Sequence, residues 1–213
     1  MKEERVYFPS GGIRLEGLLS YQEALSAKGG VLLCHPHPQY GGDMHNPVLR
    51  VALETAHQEG FRTLRFNFRG VGGSEGSYSE GIGEKEDVKA AIQFLDSMQK
   101  ETKRPLFLVG YSFGAWTGIP VAIQDDRVKG VVAISPPLEI YDFDFMRGYK
   151  KYKLVLVGDQ DEWCPVSRLK AWFDQLDEPK SLTLIEGADH FYSFQSNLLA
   201  QPLRNFFREM SSE

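Results

Sequence analysis

The stretch that most constrains what this chain can fold into runs from Arg104 to Gln124. Pro105-Leu106-Phe107-Leu108-Val109 is a short continuous apolar run, as expected of a strand buried on both faces. It passes directly into Gly110-Tyr111-Ser112-Phe113-Gly114, and Ala115-Trp116-Thr117 opens a helical stretch. A G-x-S-x-G between strand and helix is a tight turn that strains its serine and lifts the hydroxyl clear of the sheet. Strand and helix nearly touch at such a turn, so the flanking positions must be small. A second match, Gly72-Gly73-Ser74-Glu75-Gly76, lies several residues after its strand and continues as Ser-Tyr-Ser-Glu-Gly, which is loop chemistry. Ser112 is therefore the nucleophile candidate.

The rest of the chain alternates in the same way. Val6–Ser10 and Arg14–Gln22 read as two strands joined at Gly11-Gly12, and Ala24–Gly30 as a loop. Val31–Cys34, Phe61–Phe68, Val128–Ile134, Lys153–Val157 and Ser181–Ile185 read as further strands. Leu49, Ala52, Leu53 and Ala56 repeat at helical spacing, which predicts a helix over Asn46–Gln58. Val88, Ala91, Ile92 and Leu95 do the same for Glu84–Met98. Further helices are expected at Pro165–Leu176, with Leu169, Trp172, Phe173 and Leu176 as the buried stripe, and at Pro202–Met210. Strands alternating with helices across short loops predict an α/β fold, with a mostly parallel sheet of roughly seven or eight strands covered on both faces. With 213 residues, 42% of them hydrophobic, one domain over 1–213 is expected. Pro136 to Tyr152 is too short an interval for a folded lid, so no cap domain is expected and the site should be open or shallow, walled by loops.

A serine hydroxyl needs a base within hydrogen-bond reach, and the base needs a carboxylate to hold its tautomer. For this strand–turn–helix architecture the expected chain order is serine, acid, histidine. Val155-Leu156-Val157 ends in Gly158-Asp159-Gln160-Asp161, which places two carboxylates at the C-terminal edge of a strand, where such sheets bind ligands. His190 follows the next strand and is the only histidine downstream of Ser112. Asp159 and Asp161 both remain open as the acid, with Asp142 and Asp144 as later-loop alternatives. Two backbone N–H groups must face the developing oxyanion. Phe113 should supply one, and the loop after Val31–Cys34 the other. In that loop Pro36 and Pro38 have no N–H, which leaves His37 as the donor between them.

These segments resemble the small bacterial serine hydrolases of the α/β-hydrolase superfamily related to dienelactone hydrolases. The likeness rests on His35-Pro36-His37-Pro38, Gly41-Gly42, Asn46, Phe66 to Gly72 with Ser74 and Gly76, Gly110 to Gly114, Gly158 to Asp161 with Pro165, and Gly187 with His190. The resemblance implies an esterase- or thioesterase-like enzyme in which Asp161, the second aspartate of G-D-x-D, completes a Ser112–His190–Asp161 triad, with Asp159 as a turn residue. Two departures stand out. Pro36 occupies the usual glycine position of the oxyanion loop, and Ser112 replaces the elbow cysteine of dienelactone hydrolases proper. Tyr111, Tyr141 and Phe143 are expected to bind substrate, with Phe145, Met146 and Cys164 as further wall candidates.

Other chemistries fit less well. His35, His37, Asp43 and His45 miss the spacing of a binuclear zinc site, and the glycines from Gly70 to Gly76 miss G-x-G-x-x-G, so no metal or cofactor is expected. A net charge of −5 offers no basic field for nucleic acid or anionic membrane. Two cysteines without C-x-x-C, no signal peptide and no membrane-length apolar run predict a cytoplasmic location. The expected partner is a small ester or thioester. The rival readings are a non-catalytic fold reused as a binding module and a peptidase of the same architecture.

Overall fold

The computed structural model describes residues 1–22, 27–99 and 104–211. The apolar runs become eight strands of one sheet: β1 (Lys2–Ser10), β2 (Ile13–Tyr21), β3 (Gly30–Cys34), β4 (Arg62–Phe66), β5 (Leu106–Tyr111), β6 (Val128–Ile134), β7 (Tyr152–Gly158) and β8 (Lys180–Ile185). Their order is β1-β2-β4-β3-β5-β6-β7-β8. β1 and β2 form an antiparallel hairpin, and β2 runs antiparallel to β4, while every pair from β4 to β8 is parallel. Of the loop expected over Ala24–Gly30, residues 24–26 lie outside the described residues, and Gly30 already belongs to β3.

Among the described residues, five α-helices cover the sheet: α1 (Pro47–Gln58), α2 (Ile82–Ser97), α3 (Phe113–Ala122), α4 (Val166–Phe173) and α5 (Ala200–Glu209). α1 and α5 bury their apolar stripes on one face, with Leu49, Leu53, Phe206 and Phe207 in one core. α2, α3 and α4 cover the other, with Ile92, Leu95, Ile119 and Leu169 in a second core. Both layers are needed because β3 and β5 are buried along their whole length.

Element ends depart from the sequence expectation where side chains intervene. α1 begins one residue late because the Asn46 side chain accepts from the Val48 N–H, ahead of Pro47 in the first turn. α4 is shorter than Pro165–Leu176: the Lys180 ammonium donates to the carbonyls of Phe173, Asp174 and Leu176 and closes the helix end. Phe173 is only half-buried, so the core-facing stripe there is Leu169 and Trp172, with Leu176 beyond the helix. β4 stops at Phe66 rather than Phe68, since the Phe68 N–H leaves the ladder to donate to His35 Nε2 at 3.0 Å.

The segment between β6 and β7 carries turns and one short 3₁₀ helix (Asp144–Met146), and no separate cap domain is present among the described residues. β4 lies to one side of β3 and β5 to the other. The loops leaving β3 and β5 therefore diverge and open a crevice at the strands' C-terminal edge, the place where α/β sheets bind ligands.

Candidate active site

The turn after β5 holds Ser112 at φ 54° and ψ −117°, a conformation that costs a non-glycine residue of order 1–3 kcal/mol. Close packing on both sides enforces it. A Cβ on Gly110 would strike the backbone of Ala115, and one on Gly114 would strike the carbonyls of Cys34 and His35. The Ser112 N–H donates to Ile134 O at 2.9 Å, while its carbonyl accepts from the amides of Ala115 and Trp116. Ser112 is 7% exposed, at the floor of a cleft of about 600 Å³.

Asp161 follows β7, and its side chain is fully buried. Its Oδ1 accepts from the amides of Trp163 and Cys164 at 2.9 and 3.1 Å, so the turn itself orients the carboxylate. His190, beyond β8, bridges the two residues. Its Nδ1 lies 2.9 and 3.0 Å from the Asp161 oxygens and its Nε2 lies 3.0 Å from Ser112 Oγ. With Nδ1–H donating to the carboxylate, Nε2 is left to accept from the serine hydroxyl. Asp159 instead accepts from the Gly187 N–H at 2.8 Å and ties the acid turn to the histidine loop. Asp142 accepts from the Asp144 amide at 2.7 Å in a turn exposed to solvent, and neither of these carboxylates reaches His190.

Two tyrosines that no spacing rule singles out as supports hold the histidine loop. Tyr111 immediately precedes Ser112, and its buried hydroxyl donates to the His190 carbonyl at 2.8 Å. Tyr192 meets Ser135 Oγ at 2.9 Å and donates to Leu156 O at 3.3 Å, pinning the loop to β6 and β7. The Trp163 and His190 rings meet in an edge-to-face contact, with centroids 4.3 Å apart.

The loop after β3 forms the opposite wall. His35 is fully buried: its Nδ1–H donates to Pro36 O at 2.7 Å and its Nε2 accepts from the Phe68 N–H at 3.0 Å. Desolvation lowers its pKa from 6.5 to about 4, so it is neutral. His37 packs its ring 4.8 Å from Phe113; its Nδ1 accepts from the Gln39 N–H and its Nε2 meets the Tyr78 hydroxyl, both at 3.2 Å. Burial lowers its pKa as well. The His37 N–H donates to no group among the described residues. Phe113 is the first residue of α3, where an amide has no partner within the helix. Both residues line the cleft beside Ser112. Both ring nitrogens of His35 are engaged, and no group of three His, Cys, Asp or Glu side chains among the described residues is arranged to hold a metal.

Two other expectations resolve differently. Tyr111 and Tyr141 line the cleft, but Phe143 does not: it is buried against Phe145 and Trp172, on the far side of Tyr141. Cys164 is likewise core, its thiol pushed up to about 12 by burial. The second G-x-S-x-G match has a structural task. Ser74 Oγ donates to Asn67 O at 2.7 Å and accepts from the Glu16 N–H at 2.9 Å, while the Glu16 carboxylate accepts from Gly73 N–H and Asn67 Nδ2.

Residues 31–161 match the family model described as alpha/beta hydrolase fold. An uncharacterized protein of Rickettsia prowazekii is 32% identical over 98% of this chain and 90% of its own length. An alpha-beta serine hydrolase homologue from Coxiella burnetii superimposes with a TM-score of 0.88 at 30% identity, covering 97% of this chain and 98% of its own. A serine hydrolase without lid from Xanthomonas campestris does so with a TM-score of 0.88 at 26% identity, over 98% and 95% of the two chains. The matched span takes in the β3 loop, the elbow and the acid turn, and the likeness in fold extends over nearly the whole chain: this protein belongs to the alpha/beta hydrolase fold family.

Proposed function

We propose that this protein is a serine hydrolase that cleaves carboxylic esters or thioesters of small to medium size through an acyl-enzyme. The observation that carries the reading is the unbroken relay of Ser112 Oγ, His190 and the Asp161 carboxylate, at 3.0 Å and 2.9 Å, above a strained elbow. Ser112 Oγ attacks the substrate carbonyl carbon as its proton passes to His190 Nε2. Asp161 fixes the tautomer and offsets the charge on the imidazolium. The amides of Phe113 and His37 receive the oxyanion of the tetrahedral intermediate. Collapse expels the alcohol or thiol, which takes the proton back from His190. A water, deprotonated by the same imidazole, then releases the acid and restores the serine.

Labelling with a fluorophosphonate and mapping the adduct tests the proposal: the adduct forms on Ser112, and Ser112→Ala abolishes labelling while lowering kcat by about 10⁶ if the three residues act as a unit. A folded protein that takes no label and hydrolyses no ester would be a binding module instead. Near wild-type turnover in Ser112→Ala would remove this residue from the reaction.

A further inference from the structure

The cleft above Ser112 has a composition that bears on what it accepts. None of the described residues lining it carries a carboxylate, an ammonium or a guanidinium. Its polar side chains are hydroxyls, imidazoles, an indole and one amide; the Tyr111 hydroxyl is already spent on the His190 carbonyl and the Asn46 amide oxygen on the Val48 N–H. The outer wall is made of large apolar side chains left open to solvent: Tyr40 is 85% exposed, Phe191 62%, Ile140 55% and Trp163 38%. A soluble fold gains nothing from holding four such groups around one opening unless something apolar covers them.

Two guanidinium groups border a neighbouring cavity rather than the cleft. Arg147 and Arg168 border a separate cavity of about 450 Å³ on the other side of the Ile140–Tyr141 segment, and each is paired there, with Asp144 at 2.8 Å and Glu139 at 3.4 Å. That cavity also holds the Asp142 carboxylate, so its carboxylates outnumber its guanidinium groups. Lys85 stands 5.0 Å over the Trp116 ring, which is not part of the cleft wall. Among the described residues lining the opening, none builds a cationic subsite for a phosphate or carboxylate.

Resting on the proposed hydrolase activity, we infer that the substrate is an uncharged ester or thioester with an apolar acyl group of several carbons, and that anionic substrates, including thioesters of the polyphosphate carrier coenzyme A, are discriminated against. Burial of each added methylene against the aromatic wall should raise kcat/KM by up to about fourfold, until the acyl chain outgrows the cleft. An anionic acyl tail meets no counter-charge there and loses its hydration.

The test compares p-nitrophenyl acetate, butyrate, hexanoate and hemisuccinate, together with hexanoyl-N-acetylcysteamine and hexanoyl-coenzyme A, on the wild-type protein and on Ile140→Lys and Phe191→Ala. Expected are a rise of at least tenfold from acetate to hexanoate and hemisuccinate below butyrate by tenfold or more. The neutral hexanoyl thioester should exceed its coenzyme A counterpart by a similar factor. Phe191→Ala narrows the hexanoate-to-acetate ratio, and Ile140→Lys raises hemisuccinate relative to butyrate. Equal or better turnover of hemisuccinate or of the coenzyme A thioester, with Ser112 still labelled by fluorophosphonate, overturns the substrate class and leaves the hydrolase reading intact. No hydrolysis of any of the six, with Ser112 unlabelled, overturns both.

Discussion

At the scale of single residues, the site depends on side chains that position others. Tyr111 is the clearest case, since its hydroxyl binds the carbonyl of the very residue whose imidazole meets Ser112. Tyr111→Phe keeps the ring and removes only that bond, leaving a buried carbonyl without its donor. We expect kcat to fall about tenfold with KM nearly unchanged, and stability to drop by roughly 1–3 kcal/mol. Steady-state kinetics on an ester that the wild type turns over, beside urea unfolding, check both; unchanged kcat would confine the hydroxyl to a structural part. Ser112 and His190 were legible because motif, strand ends and chain order constrain them, whereas those signals left Asp159 and Asp161 both open and only the resemblance favoured Asp161. Tyr111 was legible only as a wall residue. Its support of the histidine loop depends on how far one loop bends back over another, and spacing along the chain carries no such information. Phe143 was misplaced for a related reason: apolar residues next to a site read alike whether they face the cleft or the core, and the turn at Asp142–Asp144 aims Phe143 inward.

At the scale of elements, strands and helices were readable from periodicity, while some of their ends were set by polar side chains to which an apolar pattern is blind. Lys180, just past α4, closes that helix, and His35, far back in the chain, draws Phe68 out of β4. The loop after β4 shows what a motif without its context becomes. Ser74 joins that loop to β2 through Asn67 and Glu16, and Asn67 Oδ1 also accepts from the Met44 amide at 2.9 Å. Ser74→Ala leaves buried partners unpaired and should cost roughly 1–3 kcal/mol, a fall in Tm of a few degrees for a chain of this size. Labelling of Ser112 should survive. Calorimetry and probe labelling of the variant check this, and lost labelling in a folded Ser74→Ala protein would give the second motif a part in the chemistry.

At the scale of the whole molecule, His35 links the integrity of the fold to pH. It is neutral and fully bonded in the folded state, with its pKa lowered from 6.5 to about 4 by burial. Between those values the unfolded chain binds a proton that the folded chain does not, so stability rises with pH through that window and is lost on acidification. The loss reaches roughly 3 kcal/mol by pH 4. Urea midpoints measured from pH 7 to pH 4 should fall more steeply for the wild type than for His35→Gln, which is less stable at pH 7 but lacks this proton. Parallel slopes would show that other groups dominate acid unfolding. The mostly parallel architecture was readable from alternation alone, because buried strands on both faces require two layers of helices. The crevice was not, because it arises from the order of strands across the sheet, where the chain leaves β3 toward β4 on one side and β5 toward β6 on the other.

Ile140 and Tyr141 line two chambers at once, so one short stretch of chain is the wall they share. A substitution at either residue reshapes both chambers together, beside the guanidinium and carboxylate groups of the second. A change of diet in this scaffold can thus begin with one codon in a turn, leaving every strand, every helix and the Ser112–His190–Asp161 cluster untouched.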